Sequence, residues 1–331
     1  MAGLFRSRVA GIGSYLPEKV LTNQDLEKMV ETSDQWIVER TGIERRHIAA
    51  EGEATSDLCL QASRKALADA GLTPEDIDMI VVGTVSGDRQ MPSTACYLQS
   101  KLGCRNIVAF DLNAACSGFI YGVSIADQFI RTGMYKHVLV VGAEVLHRFV
   151  NYQDRETCIL FGDAAGAWVL SRAQDGDKNI VESTHLHADG DLADLLTLPG
   201  GGSAMPQSQY VLDNKLNYVS MRGREIFKNA VRTMALCCRE ALEHNQLPPE
   251  KVDWIVPHQA NKRIIEAVAD QFKFPMERVI VYLQETGNTS AASIPVAFDW
   301  AVKNGKIKRG QTILLTAFGA GLTSGSILLR Y

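Results

Sequence analysis

The chain has 331 residues, enough for two ordinary domains or one large one, and its 46% hydrophobic and 22% charged residues are typical of a soluble globular protein. The net charge of −4 argues against a general nucleic-acid-binding protein, and no apolar stretch approaches the roughly 20 residues of a membrane helix. We therefore expect no nucleic-acid partner and no membrane partner. A start without the features of a signal peptide predicts a cytoplasmic location.

The two halves of the chain resemble each other. Four segments of the first half align in order with four of the second: 72–84 with 247–259, 106–118 with 278–290, 137–144 with 312–319, and 166–170 with 325–329. In each half, short runs of Val, Ile and Leu alternate with amphipathic segments of helical length, which favours sheets covered by helices on both faces. We therefore predict two similar halves, residues 1–174 and 175–331, in a layered α/β fold with pseudo-twofold symmetry.

A cysteine, Cys116, stands among small residues in the segment DLNAACSGF. The residues that follow repeat apolar side chains at helical spacing as far as Gly133, which places the thiol at a helix N-terminus. The helix dipole and the unpaired N–H groups there can lower a cysteine pKa from about 8.5 into the neutral range. Taken alone, however, Cys116 is better interpreted as a buried structural cysteine.

Two histidines of STHLHAD, His185 and His187, share one face of a predicted strand, a pattern that can seed a metal site. The sequence offers no persuasive third ligand, so we predict no metal.

The seven cysteines show no CxxC spacing, which favours reduced thiols over disulfides or a zinc site. Cys237 and Cys238 lie in a helical pattern and are interpreted as packing residues.

Two polar residues of the second half complete a candidate site with Cys116. His258 follows a predicted strand in WIVPHQAN, and Asn288 of GNTSAAS aligns with Cys116, each just after a strand. Ligands of α/β sheets gather at the carboxyl ends of strands, so the three side chains could converge. Separately, His258 could cap a helix and Asn288 could be a turn residue; together they favour a nucleophile with two polar partners.

Along nearly its whole length the sequence resembles β-ketoacyl-acyl-carrier-protein synthase III, the initiating condensing enzyme of the thiolase superfamily. The segments that carry the resemblance are DQWIVERTGIERR (34–46), DLNAACSGF (111–119), LFGDAAGA (160–167), VPHQANKRII (256–265), GNTSAASIP (287–295) and AFGAGLTSG (317–325). The resemblance implies a thiolase-like fold, in which two pseudo-twofold-related βαβαβαββ halves form a five-layered αβαβα core. It also implies a homodimer.

The resemblance gives each candidate residue a role. Cys116 would be acylated by an acyl-coenzyme A starter, acetyl-coenzyme A by default. His258 and Asn288 would bind the thioester oxygen of malonyl-acyl carrier protein and stabilise the enolate as carbon dioxide leaves. Attack of this carbanion on the acyl-Cys116 thioester would give 3-ketoacyl-acyl carrier protein and initiate type II fatty acid biosynthesis, with no cofactor and no catalytic metal. The oxyanion hole for acyl transfer would use the backbone N–H groups of Cys116 and Ala320, and Phe318 would shield the pocket, unless it is ordinary core packing.

The resemblance also implies the contacts with coenzyme A, made by Trp36, Arg40, Thr41, Arg155, Met221, Arg224, Phe227, Ala260 and Asn261. Trp36 and Arg155 would sandwich the adenine, a geometry that suits indole and guanidinium groups. The chain departs from the family pattern at Arg224, where relatives often have asparagine, and at Ala320, where many have glycine.

Basic residues should bind the acidic carrier protein, and we expect this dock at Lys228, Lys262 and Arg263, with a solvated helix face as the alternative. Met91 matches a position at which one subunit of the family closes the acyl pocket of its neighbour. Methionine adapts to irregular cavities, so acetyl, branched and medium-length starters all stay open.

Other activities of the same fold are the alternatives. AFGAGLTSG lacks the second cysteine of a thiolase, and Asn288 stands where elongating condensing enzymes have a second histidine. A synthase-III-like acyltransferase or a condensing enzyme of secondary metabolism remains open. A catalytically silent scaffold is disfavoured because all three members of the triad are present.

Overall fold

The structure is a computed structural model that describes residues 4–331. The strands of these residues are β1 (Ser7–Tyr15), β2 (Lys19–Thr22), β3 (Arg45–Ile48), β4 (Met79–Gly83), β5 (Val108–Leu112), β6 (His137–Glu144), β7 (Ala164–Arg172), β8 (Val181–Ala188), β9 (Leu196–Thr197), β10 (Ser220–Met221), β11 (Trp254–Pro257), β12 (Thr312–Gly319) and β13 (Thr323–Arg330). The α-helices are α1 (Asn23–Leu26), α2 (Asp34–Thr41), α3 (Thr55–Ala70), α4 (Thr94–Leu102), α5 (Gly118–Arg131), α6 (Arg155–Cys158), α7 (Gln209–Asp213), α8 (Gly223–His244), α9 (Lys262–Phe272), α10 (Leu283–Thr286) and α11 (Ser293–Lys303). Over the described part of the chain, no helix has the length and apolar character needed to cross a membrane.

The first half of the chain forms a five-stranded sheet in the order β1–β7–β6–β4–β5. β4 runs parallel to both of its neighbours, with Met79 opposite Val108 and Val138, whereas β7 runs antiparallel to β1 and β6. Every residue of β4 is buried, and its continuous apolar sequence MIVVG is typical of a strand covered on both faces. α3 packs on one face of this sheet and α5 on the other.

The second half forms a four-stranded sheet in the order β11–β12–β13–β8, in which β11 and β12 are parallel and the remaining pairs antiparallel. α8 and α9 cover its outer face, where Cys238 of α8 and Ile265 of α9 pack against Leu314 and Leu328. The boundary between the halves, between residues 174 and 175, stays a prediction.

α5 and α11 form a layer between the two sheets. Their shared core joins Val140 of the first sheet to Ile327 of the second through Phe119 and Phe298. The buried Trp168 ring meets Phe119 at 5.0 Å and Phe298 at 4.8 Å between ring centroids, both edge-on, so the aromatic contacts tie both helices to β7. Helices, sheet, helices, sheet and helices thus follow one another, and the predicted five-layered αβαβα fold is confirmed.

The alignment of Cys116 with Asn288 is wrong in three dimensions. α5 and α11 are each preceded by a residue in the left-handed conformation, Ala115 (φ 45°) and Ser290 (φ 47°). The N–H of each donates to an asparagine Oδ1 two residues earlier, that of Asn113 at 3.4 Å and that of Asn288 at 2.9 Å. The structural equivalent of Asn288 is therefore Asn113.

The sequence alignment places the wrong residues opposite each other because the second half contains α10, a helical turn that has no counterpart between β5 and α5 in the first half. The strand expected before it is reduced to a single bridge at Val279. β11 ends at Pro257, which has no N–H to continue a ladder. The side chain of Gln259 replaces the ladder by donating to the carbonyl of Ile280 (3.1 Å) and accepting from the N–H of Tyr282 (2.8 Å).

Candidate active site

One cavity of about 970 Å³ brings together Cys116, His258 and Asn288, which all line its wall. All nine residues expected to contact coenzyme A line the same cavity: Trp36, Arg40, Thr41, Arg155, Met221, Arg224, Phe227, Ala260 and Asn261. The convergence expected from the sequence is therefore present, although the role of each residue stays a prediction.

Cys116 lies in a 3-10 turn, Ala115–Ser117, between β5 and α5, and is only 8% exposed. Burial raises the pKa of its thiol to about 11, while a hydrogen bond from Ser290 opposes the shift. This result is opposite to the sequence-based expectation of a pKa lowered by the helix. α5 begins at Gly118, two residues after Cys116, and the raised pKa reflects the loss of hydration of the buried thiol.

His258 follows β11 directly and is 4% exposed. Its backbone N–H donates to the carbonyl of Thr316 (2.8 Å), and Nδ1 lies 2.7 Å from Oγ of Ser293. Oγ of Ser293 also accepts the N–H of Gln259 at 3.3 Å, which leaves its hydroxyl proton free to bond Nδ1. Burial lowers the pKa of the His258 imidazole to about 3, so the ring is neutral; with the Ser293 hydroxyl as the donor to Nδ1, the single ring proton lies on Nε2.

Asn288 is held by hydrogen bonds to its backbone and to one atom of its side chain. Its N–H donates to the carbonyl of Leu160 (2.8 Å), its carbonyl accepts from Gly162 (3.1 Å), and Oδ1 accepts from the N–H of Ser290 (2.9 Å). Because Oδ1 has this partner, Nδ2 is the atom left to interact with a ligand. Asn288 thus offers the cavity hydrogen-bond donors, as Nε2 of His258 does.

Of the two residues expected to form the oxyanion hole, Cys116 lines the cavity and Ala320 does not. Gly319, rather than Ala320, lines the cavity, and a Cβ atom at Gly319 would lie 2.6 Å from the backbone N of Cys116. Only glycine permits this approach of β12 to the turn that carries Cys116. Phe318 also lines the cavity and packs with Met234, so it combines a wall of the pocket with core packing.

Two guanidinium groups lie close to the ring of Trp36. Cζ of Arg40 is 4.6 Å and Cζ of Arg155 is 4.8 Å from the centroid of its ring. A base held between two planar groups needs about 7 Å between them, twice the ~3.5 Å contact distance of carbon atoms. Arg155 must therefore move outward for the predicted adenine sandwich to form.

Thr41 and Asn261 already have structural partners. Oγ1 of Thr41 donates to the carbonyl of Ile37 (2.7 Å), and the residue is 2% exposed. Asn261 caps α9 by accepting the N–H of Arg263 (2.9 Å), and its Nδ2 donates to the carbonyl of Arg40 (3.0 Å). Both residues shape the wall of the cavity in addition to any contact with substrate.

The three residues expected to dock the carrier protein separate into two groups. Arg263 lines the cavity, whereas Lys228 and Lys262 are exposed outside it, and Lys262 lies 3.8 Å from Glu266. Met91 is 83% exposed and is not part of its own chain's cavity.

Two features of the site, Ser293 and Glu144, were not predicted from the sequence. Ser293 orients His258 (Oγ to Nδ1, 2.7 Å). Arg222, which the sequence suggests only as one of the basic residues near the expected dock, adds a fifth guanidinium to a cavity lined by Arg40, Arg155, Arg224 and Arg263. Glu144 is fully buried at the end of β6, where its carboxylate accepts from the hydroxyl of Ser86 (2.6 Å). Burial raises the pKa of Glu144 to about 7. An acidic residue closing the apolar run HVLVVGAE was the one available signal for it.

Comparisons with known proteins identify the family to which the chain is similar. Residues 110–190 match the family described as 3-Oxoacyl-[acyl-carrier-protein (ACP)] synthase III, and residues 242–331 match its C-terminal counterpart. The chain is 54% identical over 325 residues to a Beta-ketoacyl-[acyl-carrier-protein] synthase III of Methylococcus capsulatus, covering 98% of this chain and 99% of the relative. The crystal structure of 3-oxoacyl-[acyl-carrier-protein] synthase III from Aquifex aeolicus VF5 is similar with a TM-score of 0.90 and 48% identity, covering 98% and 100% of the two chains. The priming β-ketosynthase of the R1128 polyketide pathway gives a TM-score of 0.91 at 35% identity, covering 100% and 97%.

Proposed function

The chain belongs to the β-ketoacyl-[acyl-carrier-protein] synthase III family of fatty acid biosynthesis, and on this premise we propose that the cavity is its active site, with Cys116 as the nucleophile. The observation that carries the proposal is the shared wall: the Cys–His–Asn set and all nine expected coenzyme A contacts line one cavity. The proposed reaction joins an acyl-coenzyme A starter, acetyl-coenzyme A by default, to malonyl-acyl carrier protein. The products are 3-ketoacyl-acyl carrier protein, carbon dioxide and coenzyme A.

The first step is acyl transfer to Cys116. Its sulfur attacks the thioester carbonyl of acyl-coenzyme A, the bond from that carbon to the coenzyme A sulfur breaks, and the proton of the Cys116 thiol ends on the departing thiol. We propose that deprotonation and attack are coupled to substrate binding, since burial raises the pKa of the Cys116 thiol. The backbone N–H groups of Cys116 and Ala320 are proposed to stabilise the oxyanion.

The second step is decarboxylative condensation. Nε2–H of His258 and Nδ2–H of Asn288 donate to the thioester oxygen of the malonyl group, where charge develops as carbon dioxide leaves. Such donors are each worth about 3–4 kcal/mol in the transition state. The carbanion attacks the acyl carbon, and the Cys116 sulfur leaves as a thiolate, which takes a proton from solvent because the original thiol proton left with coenzyme A. The support for this assignment is that the other ring nitrogen and the other amide atom already have partners.

The guanidinium groups of the cavity suit the phosphates of coenzyme A. Planar guanidinium groups bind phosphate oxygens through paired hydrogen bonds, and the five that line this cavity are Arg40, Arg155, Arg222, Arg224 and Arg263. We assign the adenine to Trp36 and Arg155, the carrier-protein dock to Lys228, Lys262 and Arg263, and the pocket wall that limits water to Phe318. Since the cavity supplies both a nucleophile and oxyanion donors, the proposed reaction needs no cofactor.

We further propose that the enzyme is a homodimer. β5 is an edge strand, and three apolar side chains near that edge are exposed: Val85 (40%), Met91 (83%) and Val108 (44%). An unpaired edge beside exposed apolar residues is typical of an interface. A second copy on this edge would bring its Met91 to the acyl end of the neighbouring pocket.

The seven free cysteines suit the cytoplasm, the location we propose.

Intact-protein mass spectrometry after incubation with acyl-coenzyme A compounds tests the nucleophile. We expect one acyl adduct on the native enzyme, none on Cys116→Ala, and an unchanged adduct on Cys96→Ala, which removes an exposed thiol. His258→Ala and Asn288→Ala should keep the adduct and lose most condensation. An adduct that survives in Cys116→Ala, or no adduct with any starter, contradicts the proposal.

A condensing enzyme of secondary metabolism is the second candidate, because the R1128 priming β-ketosynthase shares the fold at 35% identity. The synthase III relative is 54% identical, which favours the fatty-acid role. Acylation rates with acetyl-, branched and medium-chain coenzyme A thioesters separate the two, since a clear preference for acetyl-coenzyme A supports initiation of fatty acid synthesis.

A further inference from the structure

Two histidines on β8 face the outer helix α8, away from the active-site cavity. β8 is the edge strand of the second sheet, and His185 and His187 lie on the same face of it. Nε2 of His187 is 2.6 Å from Oε2 of Glu240, and Nδ1 of His185 is 3.6 Å from Oε1 of the same carboxylate. One carboxylate of α8 thus faces both imidazoles.

A thiol completes the cluster. Cys237 precedes Glu240 by about one helical turn, so the two side chains share a face of α8. A ring nitrogen of His187, Sγ of Cys237 and a carboxylate oxygen of Glu240 all lie within 4.8 Å of one another. Sequence analysis finds no third ligand for the histidine pair because Cys237 and Glu240 are distant in the chain; the fold brings them together.

We propose that His187, Cys237 and Glu240 form a binding site for a divalent transition metal of the Zn²⁺ class, with Nδ1 of His185 or water as the fourth ligand. Imidazole, thiolate and carboxylate together are the donor set that Zn²⁺ prefers, whereas Mg²⁺ and Ca²⁺ prefer oxygen alone. Bond lengths of about 2.0–2.3 Å in a tetrahedron put ligand atoms roughly 3.3–3.8 Å apart. The ion would replace the hydrogen bond between His187 and Glu240, and the Cys237 thiol would release its proton to solvent.

The surroundings fit a metal better than a simple surface ion pair. A His–Glu pair would need neither the buried Cys237 nor a second imidazole beside the carboxylate. Nε2 of His185 is held by Oγ of Ser183 at 3.0 Å, which leaves Nδ1 towards Glu240, as expected of an oriented ligand. The side chains of His187 and Glu240 are 51% and 41% exposed, so an ion can enter from solvent.

The site would join β8 to α8, whose first turns carry cavity residues such as Arg224 and Phe227. None of the three proposed ligands lines the cavity. The proposal is therefore independent of the reaction assigned to Cys116, and its expected effect is on stability: Zn²⁺ should raise the midpoint of thermal unfolding.

Titration of the fully reduced enzyme with Co²⁺ tests the site, because cobalt bound to a thiolate shows a charge-transfer absorption band. We expect one Co²⁺ per chain, displaced by Zn²⁺, with the band lost in Cys237→Ser. His187→Gln, a change at an exposed residue that leaves the core intact, and Glu240→Gln should each weaken Zn²⁺ binding at least about tenfold. The rise in unfolding midpoint with Zn²⁺ should disappear in the same variants.

Two matched thiol variants make the result specific. Cys96→Ser removes an exposed cysteine, and Cys116→Ala removes the one in the cavity beside His258. Both should keep the band and the Zn²⁺ affinity. Absence of a band, a band that survives in Cys237→Ser, or one that is lost in Cys116→Ala would overturn the proposal.

Discussion

At the scale of single residues, the site is defined by the hydrogen bonds that its side chains already make. Nδ1 of His258 bonds Ser293 and Oδ1 of Asn288 bonds Ser290, so Nε2 and Nδ2 are the atoms left for a ligand. Motifs predict that Cys116, His258 and Asn288 converge, but not these partners, because the serines of GNTSAAS look alike in sequence. Nor could they predict that burial raises the pKa of the Cys116 thiol, since the depth of the thiol is a tertiary property.

Ser293→Ala should impair condensation selectively. Without the hydroxyl, nothing fixes the proton of His258 on Nε2, so we expect malonyl decarboxylation to fall about tenfold, the worth of one hydrogen bond. Acylation of Cys116 should be unchanged. Release of carbon dioxide from malonyl-acyl carrier protein and intact mass measure the two steps separately. Ser293→Thr retains a hydroxyl and serves as the control; equal losses in both steps would show a merely structural role.

Glu144→Gln should change how stability depends on pH. Burial raises the pKa of Glu144 from 4.5 to about 7 in the folded enzyme, so its protonated form stabilises the fold. That contribution is complete below pH 4.5 and is lost as pH rises through 7. Relative to Glu144→Gln, the unfolding free energy of the native enzyme should therefore fall by on the order of 3 kcal/mol between pH 4.5 and pH 7, at about 1.36 kcal/mol per pKa unit. Urea unfolding across this range measures it, and a pH-independent difference would contradict it.

At the scale of elements, apolar runs and helical periodicity predict the main strands and helices, but not how the two halves correspond. The aligned segments 106–118 and 278–290 place a strand before Asn288, where the structure has a bridge at Val279 and then α10. The cause is Gln259, whose side chain takes over from the ladder that Pro257 ends. A side chain acting as backbone partner leaves no periodic signal, so a sequence alignment could not detect it.

The contact between β12 and the turn that carries Cys116 predicts the effect of Gly319→Ala. A Cβ atom there would lie 2.6 Å from the backbone N of Cys116, so the turn must shift. We expect a loss of stability of about 1–3 kcal/mol, as for other overpacked sites, and a larger fractional loss of acylation than of coenzyme A binding. Thermal unfolding and acylation rates measure these effects. Gly190→Ala is the control, since no neighbouring atom of the described residues lies within 4 Å of the position that its Cβ would take, and equal behaviour of the two variants would rule out the steric argument.

At the scale of the whole molecule, neither half holds a complete site. Cys116 comes from the first half, and His258 and Asn288 come from the second, so the cavity forms only when the two sheets pack on α5 and α11. The five-layered core follows from the resemblance and from the alternation of strands and helices. The acyl end of the pocket cannot be predicted in this way, because in our proposal it is completed by Met91 of a second copy, a residue that is exposed in the single chain.

Met91→Trp tests this link between subunits. In a homodimer the larger side chain should narrow the neighbouring pocket and reduce acylation by medium-chain thioesters at least about tenfold relative to acetyl-coenzyme A. A mixed dimer of one Met91→Trp chain and one Cys116→Ala chain separates action across the interface from action within a chain. Its only reactive cysteine lies in the Met91→Trp chain and faces the native Met91 of the partner, so we expect the native chain-length preference to return. If the mixed dimer still reacts poorly with medium-chain thioesters, Met91 acts on the pocket of its own chain. If differently tagged chains do not co-purify, the proposed dimer itself is contradicted.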